Sequence, residues 1–87
     1  MTPDEELREQ ELMGERAKAL LDNPVLVSIF EKVQKECARA ALKDPDADTR
    51  EEHRQQYVAI ERIKDAIESV VKSGKTAREK LDHLAQR

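Results

Sequence analysis

One stretch limits what this chain can become: Asn23–Leu42, NPVLVSIFEKVQKECARAAL. Leu26, Ile29, Phe30, Val33, Cys37, Ala40 and Ala41 recur there at i, i+3, i+4, i+7, i+11, i+14 and i+15, which is one face of an α-helix. Glu31, Lys32, Gln34, Lys35, Glu36 and Arg39 fill the wet face. A second stripe answers it at Tyr57, Ile60, Ile63, Ile67, Val70 and Val71. Two such helices joined by a short turn pack as antiparallel neighbours. The pattern therefore predicts an all-α fold, an antiparallel helical hairpin over about residues 24–43 and 49–73 with an N-terminal helical arm and a short C-terminal helix or tail. It divides the chain into an acidic arm (1–22), a hairpin core (23–74) and a basic tail (75–87).

Boundary residues support these spans. Thr2 can cap a first helix, Pro3 fits its first position, and Glu5 stands three residues after Thr2 as in a capping box. Apolar residues in that arm are sparse (Leu7, Met13, Ala17, Leu20, Leu21), and Gly14 inside it costs about 1 kcal/mol relative to alanine. Asn23 before Pro24 ends one helix and caps the next, with a sharp corner favoured over a kink. Asp44-Pro45 stops the central helix, and either Asp48 with Glu51 or Thr49 with Glu52 supplies the following capping box. Lys72-Ser73-Gly74 reads as a helix end with Gly74 as a left-handed cap, after which Thr76 can open a last short helix carrying Ala77, Leu81 and Leu84. That tail is either frayed or the part that grips a partner, through Leu81 and Leu84.

The core such a chain can build is thin. At 87 residues, with 40% charged and 2% aromatic side chains, it is at most one small domain. A chain this short buries only about 60% of its unfolded surface and is marginal alone. Leu26, Ile29, Phe30, Val33, Cys37, Tyr57, Ile60, Ile63, Ile67, Val70 and Val71 are thus candidates for core and protein interface together. The expected outcome is self-association or docking on a larger partner; the alternative is a monomer whose flanking segments fold back over the hairpin.

Charge narrows the partners. A formal net charge of −3 argues against a general nucleic-acid binder. Residues 1–16 hold six acidic and two basic side chains, while residues 72–87 hold five basic and two acidic ones. These ends are read as solvated, the sharper alternative being attraction between the ends of neighbouring copies. Lys75, Arg78, Lys80 and Arg87 lack interleaved aromatics and are diluted by Glu79 and Asp82, so a solvated face is favoured over phosphate contact. No apolar run approaches membrane-spanning length and no signal peptide precedes the first helix, which predicts a soluble protein with no membrane partner.

Chemistry is scarce. Cys37 is the sole cysteine, so no internal disulfide is possible, and its place on the apolar face predicts a buried structural thiol. Gly74-Lys75-Thr76 resembles the end of a phosphate-binding loop, but the glycine required five residues earlier is Ser69, inside a helix. His53 and His83 lack metal-ligand spacing, and the acidic cluster Asp46, Asp48, Glu51 and Glu52 lacks the glycine of a calcium loop. Ser28, Ser69 and Ser73 offer no nucleophile turn. The expectation is no catalytic residue, no metal, no cofactor and no small-molecule substrate.

The segments KALLDNPVLVSIFEKV and REEHRQQYVAIERIKDAIESVVKSGKTAREKL, separated by an Asp/Pro turn, resemble small uncharacterised proteins of tailed bacteriophages, typically encoded among head and DNA-packaging genes. The likeness rests on the Asn-Pro helix start, an aromatic in each helix and the glycine after the second, and covers roughly Lys18 to Leu81. It implies a virion structural or assembly role (capsid-associated, at the head–tail junction, or in packaging) in the virion or in host cytoplasm during assembly. The implied partners are further copies or other phage structural proteins. The acidic arm at Asp4–Glu15 motivates a second reading, a small acidic helical protein that inhibits a host enzyme or defence factor.

Overall fold

In a computed structural model, which describes residues 2–86, the chain is all-helical, with three helices and no strand among the described residues. Helix α1 spans Pro3–Leu21, α2 spans Pro24–Lys43 and α3 spans Ala47–Ala85. Arg87, one of the basic tail residues, lies outside the described residues.

Side-chain caps start all three helices. The Glu5 N–H donates to Thr2 Oγ1 at 3.2 Å, and Pro3 takes the first helical position, where a missing N–H costs nothing. Asn23 Oδ1 accepts from the N–H groups of Val25 (2.9 Å) and Leu26 (3.1 Å) ahead of α2. For α3 the cap is Asp46, not Asp48 or Thr49: its Oδ2 accepts from the Thr49 N–H (3.3 Å) and from the Thr49 hydroxyl (2.6 Å). Asp44 Oδ1 accepts from the Asp46 N–H at 2.9 Å, and Arg50 Nη1 donates to the Asp44 carbonyl at 2.7 Å. Asp44 and Asp46 are thus occupied in ordering the turn and capping α3.

The largest departure from expectation is at Gly74. The expected helix end after residue 73 and the separate short helix opened by Thr76 are both replaced by one continuous helix of 39 residues. Gly74 has no positive φ and is buried inside α3, together with Ala77. Its role is steric. A Cβ at Gly74 would stand 2.7 Å from the Gly14 Cα and 3.1 Å from the Gln10 carbonyl oxygen. A Cβ at Gly14 would in turn meet the Gly74 Cα at 2.7 Å. Only a residue without Cβ permits this backbone approach.

The chain forms two compact units, one of Met1–Asp22 with Ala66–Arg87 and one of Asn23–Asp65. Within α3 the division between the two units falls between Asp65 and Ala66. Ile67, Val70 and Val71, expected to face α2, belong to the unit containing α1. In the first unit the two backbones meet at the glycine pair, with Ala17 and Ala77 also buried. In the second, α2 meets the first part of α3 through Gln34 with Glu61 and Cys37 with Gln56, and Arg50 of α3 reaches back to the turn at Asp44.

Replacing Gly74 by alanine would gain about 1 kcal/mol of helix propensity. The new methyl must push two backbones apart, and overpacking of that kind costs about 1–3 kcal/mol. The balance predicts that Gly74→Ala lowers the Tm by about 4–8 °C for each net kcal/mol lost. Circular-dichroism melts against Ser73→Ala, an exposed neighbour expected to show no fall, check this.

Candidate protein-interaction surface

In the unit of residues 23–65 the seam follows the apolar stripe of the sequence only in part: Cys37 is buried and Leu26, Phe30 and Ile60 are half-buried, while other members stay exposed. Gln34, assigned to the wet face, is 7% exposed, while Ile29 and Val33 remain 50% and 37% exposed. On α3, Glu61 and Lys64 are half-buried, while Ile63 is 51% exposed. The buried amide is satisfied at both ends: Gln34 Nε2 donates to Glu61 Oε1 at 2.5 Å, and its Oε1 accepts from Lys64 Nζ at 3.4 Å. Lys64 and Glu61 close the triangle at 3.5 Å. A buried polar group with both partners present escapes the desolvation penalty of an orphan. Cys37 lies in the same seam at 6% exposure, its Sγ donating to Gln56 Oε1 at 3.6 Å.

The residues singled out by sequence fall into three groups. Cys37 is buried; Leu26, Phe30, Ile60, Ile67, Val71 and Leu81 are half-buried; Ile29, Val33, Tyr57, Ile63, Val70 and Leu84 are exposed. In the unit built on α1, exposed Met13 and Val70 line an open groove edged by Glu6 and Glu9. Leu7 and Leu84 line another with Lys80 and His83, so the tail lies against the first helix in that unit. A third groove, over the glycine pair, has Glu11 and Glu15 with Lys75 and Arg78 along it. The acidic arm and the basic tail thus share one unit and line one groove there.

Sequence reasoning missed Gly14, Gly74, Gln34, Glu61 and Lys64. The glycine pair carried a readable signal: Gly14 with Ala17 and Gly74 with Ala77 are matched small pairs at i, i+3. The polar triangle carried none, because a glutamine beside lysines and glutamates looks like any solvated face.

Among the described residues no group of three or more His, Cys, Asp or Glu side chains is placed to hold a metal ion. No helix of the described residues is long and apolar enough to cross a membrane. Comparison with protein-family models, curated proteins and solved structures finds no match.

Two carboxylates are held below their ordinary range. The Gln34 amide and then the Lys64 ammonium stabilise ionised Glu61 against the opposing effect of burial. The Thr49 hydroxyl and then its N–H do the same for Asp46. A lowered folded value contributes stability above the free-carboxylate value that is lost as pH falls through the folded one. Thermal melts from pH 7 to pH 3 should therefore show a falling Tm. The fall should be smaller in Glu61→Gln, which has no charge to lose.

Proposed function

We propose that this chain is a non-enzymatic structural or assembly protein of a tailed-phage virion. In this reading α2 and the first part of α3 form an antiparallel helical hairpin, and the protein acts by helix–helix packing in a multi-copy assembly. Its place is the capsid, the head–tail junction or the packaging complex, reached from the host cytoplasm during assembly. One observation supports it above the others. Among the described residues the buried apolar core is Ala17, Cys37 and Ala77, with no large side chain fully buried, while Ile29, Val33, Ile63, Met13 and Val70 stay exposed. Helix pairs that leave this much apolar surface uncovered are suited to receive a further helical layer. The resemblance of residues 18–81 to small phage proteins supplies the setting.

A second reading, a small helical inhibitor of a host enzyme or defence factor, is favoured by the acid-edged apolar groove of Glu6, Glu9, Met13 and Val70. It predicts one stoichiometric host protein in a pull-down, where the assembly protein recovers phage components.

Light scattering on the purified protein should give a mass of more than one copy, and mass spectrometry should find the chain in purified virions. A stable monomer absent from virions overturns the assembly reading.

A further inference from the structure

Helix α3 carries a second stripe beside the seams it forms with α1 and α2. Ala59, Ile63, Ala66, Val70 and Ser73 follow one another at alternating steps of four and three, and all five are exposed. The other exposed side chains over that stretch are Arg62, Asp65, Glu68, Ser69 and Lys72. Charge is thus held off one line of the helix. Steps of four and three are the repeat by which one helix lies along another. Continued outward, the repeat reaches Gln56 and Glu52 on one side, and buried Ala77, then Lys80 and Leu84, on the other. Polar side chains bracket an uncharged middle, with an acid and an amide before it and an ammonium after it.

That asymmetry selects the partner and its direction. Two copies of α3 laid parallel would set Lys80 on Lys80 and Glu52 on Glu52. Laid antiparallel with Ile63 across from Ser73, they set Val70 on Ala66 and Lys80 on Gln56, a turn away from Glu52. Each branched side chain then faces a small one, and the ammonium meets an amide and a carboxylate. The open groove lined by Met13, Val70 and Ser73 fixes the register. It lies on the stripe itself, and Ile63 is the stripe's most exposed large side chain.

We propose that a second copy of this chain occupies this face, docked α3 against α3 in antiparallel fashion, with Ile63 of each copy seated in the groove of the other. The contact rests on the assembly reading for self-association and names the surface through which it occurs, but does not depend on the phage setting.

Disulfide cross-linking tests it. Ile63→Cys and Ser73→Cys are made separately in the full chain carrying Cys37→Ala, each as its only thiol and with tags of different mass. They are oxidised at a concentration where light scattering reads more than one copy. Mixed together, the two variants should cross-link to each other about tenfold faster than either does to itself. Like thiols lie ten residues apart along antiparallel helices, about 15 Å, which is beyond the reach of a disulfide. Equal rates, or faster cross-linking between like variants, overturn the docking. Ala66→Arg supplies a second measurement, since arginine keeps an exposed helical position helical while obstructing the seam. It should scatter as a single copy with its helical circular dichroism retained; association that survives it overturns the docking. A chain found in virions without the mixed cross-link removes this contact and leaves the phage setting, whereas the cross-link in a chain absent from virions does the reverse.

Discussion

The contact between Gly14 and Gly74 is the constraint on which the unit containing α1 depends. Two helices alone cannot surround a large side chain, so a pair must gain its contacts by coming close. The backbones meet where both residues lack a Cβ, and the neighbouring small side chains are drawn in with them: Ala77 retains 1% of its surface and Ala17 retains 7%. Dense packing of small groups takes the place of a conventional core. The same contact explains why α3 runs on to Ala85. A glycine that ends a helix does so with positive φ, and this one is needed where helical φ persists.

The unit of residues 23–65 solves the same geometric problem differently. Its seam is closed by a thiol and a hydrogen-bonded triangle beside half-buried Leu26, Phe30 and Ile60, while Ile29, Val33 and Ile63 stay exposed. A fully partnered network of this kind directs geometry more strongly than it stabilises, because its hydrogen bonds are demanding in distance and angle while apolar contact is permissive.

Much of the architecture was legible in the residues. Thr2-Pro3, Asn23-Pro24 and Asp44-Pro45 punctuate the helices where the chemistry of caps and proline requires, and the ends of α1 and α2 follow from them. Periodicity located the helices, but it weighs each residue by polarity alone. It therefore placed Gln34 in water, since the partners that make its burial tolerable stand about thirty positions away on α3. Gly74 was misread for a related reason: capping and close approach both call for glycine, and only the location of Gly14 distinguishes them.

The wide separation of Gly14 and Gly74 in sequence also orders the way the chain can assemble. The unit formed by Asn23–Asp65 is an uninterrupted segment whose helices are joined by a three-residue turn, so its contacts are local and their loop closes at little entropic cost. The other unit draws on both ends of the chain, and its glycines are brought together across a loop of about sixty residues. Helix α1 is made before its partner segment of α3 and must therefore wait for it, and its thinly apolar surface is well suited to a solitary interval in water.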